Sequence, residues 1–323
     1  MNRVYIILLN WNGWRDTVEC IESLLLLEYP NFRIVLCDNG SNDGSLDKIK
    51  DWANRRSVRY FECQRTLAES GVSERSDAIL TLISNGENLG FAGGNNVGIR
   101  YAITRKDGYY FWLLNNDTVV KPDALIHLVA RMQEQSSIGI CGSTILSYNN
   151  RRRIQALGGG QYCRWIGLPW HYGRFRNYNN KINYSKAESR INYVEGASML
   201  VSRSFLEKVG LMCEDYFLYF EEADWAIRAQ NYFKLGYAPE SIVYHKVGAS
   251  IGTNSNPSKK SYTSDYYNIK NRLLFTRRFY PAALPTVLMV IFTAFILRLL
   301  IGQWGRAAMI LRLVFGVQPE HRA

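Results

Sequence analysis

The sequence predicts an α/β fold, a mostly parallel sheet flanked by helices, with a C-terminal amphipathic helical appendage. Two observations carry the first part. Short apolar runs of strand length recur through the amino-terminal half, and between them lie stretches with apolar residues at helical spacing. That alternation is the pattern of strands joined in parallel through helical crossovers. A third observation carries the appendage: beyond Tyr280 the chain becomes nearly continuous apolar sequence punctuated by arginine.

Taken in order, Val4 to Leu9 reads as a strand, and residues 17–27 as a helix with Val18, Ile21, Leu24 and Leu25 inward. Phe32 to Cys37 is the next strand and completes a β-α-β unit. The polar turn 38–44 leads to Ser45, read as the cap of a helix that turns Leu46, Ile49 and Trp52 inward. Residues 58–61, 78–83, 110–114 and 138–142 read as further strands. Residues 62–77 are polar and aperiodic, a solvated insertion. Residues 147–190 mix Gly, Asn and Arg with Tyr162, Trp165, Trp170, Tyr172, Phe175 and Tyr178, which fits either a loop that stacks on sugars or a hairpin with its own small core.

A chain of 323 residues with 47% hydrophobic and 13% aromatic content can bury a sizeable core, which excludes disordered and fibrous classes. Six cysteines (Cys20, Cys37, Cys63, Cys141, Cys163, Cys213) without a C-x-x-C pair fit reduced structural thiols. The amino terminus enters a strand pattern without the regions of a secretory signal, so a cytosolic protein, or one on a cytosolic membrane face, is expected. A net charge of +11 attracts phosphates, whether of nucleic acid, anionic lipid or sugar nucleotide. Basic residues concentrate at 151–153, 164–176, 259–260 and 270–278, the last just before the apolar stretch, as membrane-surface clusters do.

The chemistry centres on Asn115-Asn116-Asp117-Thr118, which follows the apolar run 109–114. A polar cluster at the carboxyl end of a strand is where an open α/β sheet binds ligand. Asn115 and Asp117 share one side of an extended segment, and a hard divalent cation, Mg²⁺ or Mn²⁺, held there by one carboxylate would complete its shell with water and donor phosphates. Glu221, Glu222 and Asp224 follow the aromatic run 216–220 at the start of a helix, where acids complement the dipole. Apolar neighbours would raise at least one of their pKa values, as a general base requires. Asp38, alone, reads as a turn residue satisfying local backbone, although a carboxylate there can also accept from a pyrimidine N–H or a ribose hydroxyl. Glycines beside asparagines in the segment 88–98 let the backbone approach a diphosphate or simply form a tight turn. His245 alone reads as an ordinary structural histidine.

Six segments then appear in the order seen in glycosyltransferase family 2: Asn10-Trp11-Asn12-Gly13, Asp38-Asn39-Gly40-Ser41, the run Asn88 to Asn96, Leu114 to Thr118, Glu195 to Leu200, and Tyr219 to Trp225. The chain resembles the bacterial rhamnosyltransferase branch of that family from residue 3 to about residue 280. The resemblance implies a GT-A fold over residues 1–260, a nucleotide-diphosphate sugar donor, a divalent metal and inversion at the anomeric carbon. Carried over by position, Asp38 would hold the base or ribose, and Asn10, Asn12, Asn88, Gly90, Phe91, Gly94, Asn95, Asn115, Asn116, Gly196 and Ala197 would line the donor site. Asp117 would be the metal acid with His245 beside it, and Glu222 the catalytic base supported by Glu221 and Asp224. Asn115 and Glu222 stand where many relatives carry Asp. The expected activity is rhamnosyl transfer from dTDP-L-rhamnose to a glycan or polyprenyl-diphosphate-linked acceptor in surface-polysaccharide (O-antigen) biosynthesis, with a UDP-hexose as the alternative donor.

Residues 261–323 are expected to associate with the membrane. The sixteen residues 282–297 fall short of the ~20 that span a bilayer, and Arg298, Arg306 and Arg312 recur among apolar residues beyond them. That pattern suits helices lying in the interface with arginines reaching headgroups, a peripheral or monotopic attachment on the cytoplasmic face of the inner membrane. The alternative is a helical pair packed on the catalytic domain or on another subunit, and a homo-oligomer is compatible with the sequence. A nicotinamide dehydrogenase would need G-x-G-x-x-G after the first strand, which Asn10-Trp11-Asn12-Gly13 lacks. No helix-turn-helix, zinc or RNA-recognition signature accompanies the charge, so no nucleic acid partner is expected.

Overall fold

Alternate residues of the first strand bury on opposite sides of one sheet, and this sets out the layers. In β1 (Arg3–Asn10), Val4, Ile6 and Leu8 join one apolar core while Tyr5 and Ile7 join the other, as the two-residue period of extended chain requires. A computed structural model describes residues 1–70, 78–178, 182–246 and 261–316. From β1 the chain alternates through α1 (Trp14–Leu24), β2 (Phe32–Asp38), α2 (Ser45–Arg55), β3 (Tyr60–Gln64), α3 (Arg65–Glu69), β4 (Leu80–Ser84), α4 (Gly90–Thr104) and β5 (Gly108–Asn115). These strands lie in the order β5-β1-β2-β4-β3, all parallel.

The second half is mostly antiparallel. After β6 (Thr118–Val120) and α5 (Ala124–Glu134) come β7 (Ile138–Ser147), β8 (Ile154–Leu157), β9 (Gly159–Cys163), β10 (Leu168–Trp170), α6 (Tyr184–Glu188), β11 (Tyr193–Val194), β12 (Ser198–Ser202), α7 (Arg203–Val209), α8 (Glu221–Ala229) and β13 (Lys234–His245). β12 lies antiparallel between β5 and β7, and β13 pairs with β7 and with β6, which sets His245 opposite Thr118. One face of the sheet is covered by α1, α2 and α5, through residues such as Ile21, Trp52 and Leu128. The other is covered by α4, α7 and α8, through Val97, Phe205 and Trp225.

Several expectations change. The glycine-rich segment is the first turns of α4, laid flat on the sheet. A Cβ on Gly94 would sit 2.4 Å from a Leu9 methyl and one on Gly98 2.7 Å from Ile7, so these glycines admit a helix against a strand. Gly90 has φ +71°, and a Cβ there would meet the Phe217 carbonyl at 2.3 Å. Ser45 is not a cap: Gly44, with φ 75°, precedes the helix, and Asp43 Oδ1 accepts from the Ser45 N–H at 3.0 Å. Between 147 and 190 the hairpin reading holds, with Leu146, Ile154, Leu157, Ala187 and Tyr237 forming a separate core. The expected insertion 62–77 contains the end of β3 and α3, and residues 71–77 lie outside the described residues, as do Lys259 and Lys260. None of the six cysteines is in a disulfide, and four of them are buried.

The carboxyl-terminal helices are α9 (Tyr262–Phe279), α10 (Leu284–Leu300) and α11 (Trp304–Val314). The apolar segment Pro281–Leu300 runs 20 residues with a mean hydropathy of 2.2, long and apolar enough to cross a bilayer, where sequence alone stopped at Arg298. The reason is that Arg298 does not reach outward. It is 8% exposed and forks onto Asp265 of α9 at 2.9 and 3.0 Å, and Arg306 of α11 joins the same carboxylate at 3.1 Å. Two of the three arginines expected at headgroups are therefore the ionic centre of a three-helix unit. Removing one partner of such a buried pair costs on the order of 3–5 kcal/mol.

Candidate active site

Parallel pairing of β1 with β2 puts Asn10 beside Asp38 at the carboxyl edge of the sheet. Asp38 is 3% exposed, and its carboxylate accepts from Asn10 Nδ2 at 2.7 Å, from the Ser41 N–H at 3.0 Å and from Ser41 Oγ at 2.6 Å. Asn12, at φ 52°, ties its loop to the next one: its N–H donates to Ser41 Oγ at 2.9 Å and its side-chain oxygen accepts from the Asn42 N–H at 2.9 Å. Asn88 fixes the start of α4 by accepting from Asn39 Nδ2 and from the Gly90 N–H, and Asn95 donates back to the Phe91 carbonyl of its own helix. Phe91 packs half-buried on the core under α4. Asn10, Asn88 and Asn95 thus brace the loops at this edge through hydrogen bonds satisfied within the protein, and Gly90 and Gly94 admit the close approach of Phe217, Leu9 and Asn39.

A relay that the sequence did not disclose connects this edge to the next strand. Asn116 Nδ2 donates to Thr17 Oγ1 at 2.9 Å, Thr17 Oγ1 donates to Asn10 Oδ1 at 2.7 Å, and Asn10 donates on to Asp38. Thr17 is fully buried and read only as a helix residue. We expect Thr17→Val, which keeps the volume and orphans two buried polar groups, to cost about 1–3 kcal/mol of stability. It should also weaken donor binding by about tenfold while kcat changes little, because the two loops lose their common register. A melting curve and a donor titration check both halves.

Asp117 follows Asn116 in the turn between β5 and β6, while Asn115 ends β5 with its N–H donating to the Ala197 carbonyl at 3.1 Å. β13 brings His245 Nε2 to 3.2 Å from Asp117 Oδ1, and Gln155 Oε1 lies 3.0 Å from the other ring nitrogen. Burial pushes the Asp117 carboxyl up, but the facing His245 charge and hydrogen bond outweigh it and hold the carboxyl below its ordinary range. Burial likewise works to lower the His245 imidazole, and Asp117 and Glu195 raise it above its ordinary value. The pair supplies one carboxylate and one imidazole. Among the described residues no three His, Cys, Asp or Glu side chains are grouped as a metal site.

The acids of α8 have three different environments. Two successive left-handed residues, Tyr219 (φ 71°) and Phe220 (φ 77°), present them. Such conformations cost of order 1–3 kcal/mol each. Here α9 holds them: Asn271 Nδ2 donates to the carbonyls of Leu218 and Tyr219, and the Tyr219 hydroxyl meets Ser264 Oγ at 2.7 Å. Asp224 is 1% exposed and neutralised by Arg228 at 2.6 Å and Arg278 at 3.4 Å, so it braces α8 against α9. Glu221 is 2% exposed, and burial, with the Glu222 charge added, pushes its carboxyl well up. Glu222 is partly exposed, and burial together with the Glu195 charge pushes it up to about 7. A Cβ on Gly196 would fall 2.2 Å from Glu222 Oε1, so a larger residue here would displace this carboxylate from its place.

Glu195 is a further site residue, one to which its motif alone assigns no role. His171 Nε2 lies 2.7 Å from its carboxylate and 3.1 Å from the Tyr193 hydroxyl. Burial pushes Glu195 up, and His171, with His245 and Arg174 further off, overcomes it and keeps the carboxyl below its ordinary range. The structure thus joins Asp38 to Asn116, Asp117 to His245, and Gly196 to Glu222, with Ala197 linking the last group to β5. The only signal for His171 was a histidine inside an aromatic excursion.

A parallel half joined to an antiparallel half, with an acid turn after the strand at their seam, is the GT-A arrangement. The chain belongs to glycosyl transferase family 2, whose model matches residues 5–210. Its curated relatives include the low-salt glycan biosynthesis hexosyltransferase of Haloferax volcanii, 24% identical over 202 residues, covering 61% of this chain and 53% of that one. Another is the poly-β-1,6-N-acetyl-D-glucosamine synthase of Staphylococcus epidermidis, 21% identical over 75% of this chain and 49% of that one. The chain spans about half the length of these relatives. Among solved structures, the fold matches a mannosyltransferase of Pyrobaculum calidifontis in complex with GDP-Man and Mn²⁺, with a TM-score of 0.57, 15% identity and coverage of 98% of this chain and 86% of that one. It also matches a fragment of S. aureus TarS with a TM-score of 0.51 and 13% identity, covering 90% of this chain and 72% of that one.

Proposed function

We propose that this chain transfers a hexosyl unit from a nucleotide-diphosphate sugar to a hydroxyl of a lipid-linked or surface-polysaccharide glycan, with inversion at the anomeric carbon. The observation that carries this reading is Glu222, a partly exposed acid pushed up to about 7 by burial and by the charge of Glu195, the same carboxylate that acts on the His245 imidazole facing Asp117. Glu222 accepts the proton of the acceptor hydroxyl, the freed oxygen forms a bond to the anomeric carbon, and the bond to the diphosphate breaks on the opposite face. Asp38 holds the nucleoside, with Asn12 and Ser41 shaping the loop around it. Asn115 and Gly196 flank the sugar.

Asp117 and His245 would hold a divalent cation, Mg²⁺ or Mn²⁺, and two protein ligands suit an ion that completes its shell with donor phosphates. When bound, the ion supplies positive charge to the departing diphosphate. The Pyrobaculum mannosyltransferase, a complex with Mn²⁺, supports this assignment. In this reading residues 1–260 are the transferase domain and residues 261–323 the membrane-associating region, with the site on the cytoplasmic face, where nucleotide sugars and lipid-linked acceptors meet. The 20-residue apolar segment, 22% buried within the chain, supports the membrane assignment.

For the donor, the motif set favours dTDP-L-rhamnose, through its likeness to the rhamnosyltransferase branch. A UDP-hexose is the second reading, favoured by the hexosyltransferase and glucosamine-polymer relatives. Thermal stabilisation and turnover across a panel of nucleotide sugars with Mn²⁺ decide between them. Preferential stabilisation by dTDP-L-rhamnose is expected. Preference for a UDP-hexose would replace the donor, and no stabilisation by any nucleotide sugar would overturn the reading.

A further inference from the structure

The excursion that supplies His171 also carries a hairpin whose tip is apolar. β9 and β10 pair Leu168 with Cys163, and the turn closes through Gly167, whose N–H donates to the Cys163 carbonyl at 2.8 Å with φ +66°. The turn residues are Arg164, Trp165 and Ile166, all exposed, Trp165 by 49% and Ile166 by 42%. Two adjacent exposed apolar side chains carry meaning only where they continue into a larger apolar patch, which then marks an interaction surface.

The place of this turn supplies that continuation. Thr286, near the start of α10, donates its hydroxyl to the Trp165 carbonyl, and Gly167 packs on Val287 and on the stem of Arg272. Behind the turn, Tyr162 packs edge-on against Phe275 of α9 and stacks on Tyr280. From Thr286 the same helical face runs through Met289, Thr293, Leu297 and Leu300, every one exposed, and Ile301 and Trp304 extend it. Hairpin tip and helix face therefore form one apolar surface. Arg164, whose guanidinium lies 5.3 Å over the Trp165 ring, is an exposed cation on the tip, and Arg277 of α9 and Arg312 of α11 are exposed too. Aromatic side chains beside arginines are the composition of a bilayer interface, and an anionic surface complements the charge.

We propose that the β9–β10 hairpin, through Trp165 and Ile166, is a second membrane-contact element that works with α10 to seat the catalytic cleft on an anionic bilayer. It rests on the reading of residues 261–323 as membrane-associating and extends that contact into the transferase domain. The hairpin's other end joins the site directly. β9 pairs with β11 at Tyr193 and Val194, immediately before Glu195 and Gly196. Contact at the tip thus fixes the height of Glu222 above the lipid surface, and favours an acceptor whose diphosphate lies at that surface.

Full-length protein sedimented with phosphatidylglycerol-containing vesicles tests this. We expect Trp165→Ser with Ile166→Ser to weaken vesicle binding by about tenfold or more, with the melting temperature in the absence of vesicles unchanged. A polarity-sensitive dye on Cys163, the exposed one of the six cysteines, should shift to the blue when vesicles are added. Met289→Ser with Phe292→Ser is the control. If that pair reduces binding while the hairpin pair binds like wild type, or if the dye does not shift, the hairpin inference fails and the membrane reading stands. If the wild type itself does not bind vesicles, both fail. A hairpin variant that dissolves a dimer without altering vesicle binding would overturn the inference in favour of self-association.

Discussion

Glu222→Gln should leave the fold and donor binding intact and remove most of the transfer, lowering kcat by about 10²–10⁴-fold, the usual contribution of a positioned base. The substitution keeps the side-chain volume in the gap that Gly196 leaves open, so a loss of activity reports the lost proton acceptor. Neighbouring acids are poorly placed to replace it, because Glu221 is 2% exposed while Asp224 is committed to Arg228 and Arg278. The wild type carries a matching pH dependence. A base must be unprotonated, and Glu222 is pushed up to about 7. In kcat/KM the rate should therefore fall as pH drops through about 7, approaching tenfold per unit. Steady-state kinetics with a tritiated donor and a donor-binding isotherm separate the two effects. Near-normal kcat in Glu222→Gln would remove it from the mechanism.

Asp117→Asn should act on binding first. The substitution keeps shape and removes the charge that pairs with His245 at 3.2 Å. A cation site with a single carboxylate loses most of its attraction for the ion when that charge goes. We expect metal-dependent donor affinity to fall by about 100-fold, and kcat/KM by at least as much. Titration calorimetry with donor in Mn²⁺, repeated with chelator, checks it: wild type should lose affinity on chelation, whereas the variant should be nearly indifferent to the metal. Equal metal response in both would remove Asp117 from that role.

Where burial patterns are local, the sequence disclosed the fold. The alternation in β1 and the helical spacing of Ile21 and Leu24 gave the β-α-β start, and the apolar run before Asp117 is the strand β5 that sets it at the carboxyl edge of the sheet. Where the decisive contact joins distant segments, sequence reading failed for physical reasons. Gly90 looks like a phosphate-loop glycine until Phe217 is seen against it. Arg298 looks like a headgroup anchor until Asp265, on another helix, is found to neutralise it. Thr17 reads as one more residue of an amphipathic helix, and its hydroxyl matters only because β1 and β5 bring Asn10 and Asn116 to either side of it. The partnership of His171 and Glu195 needs the fold of the hairpin and has no spacing signature at all. Asp224 shows the reverse case: a motif acid in the expected place whose charge is already used in packing.

Single displacement with Glu222 as base has one stereochemical signature. Proton NMR of the glycoside formed from an anomerically pure nucleotide sugar, on any acceptor that supports turnover, reads the configuration at the new bond before secondary reactions intervene. The account predicts a product of opposite anomeric configuration to the donor, lost together with turnover in Glu222→Gln. A product that retains the donor's configuration would contradict it.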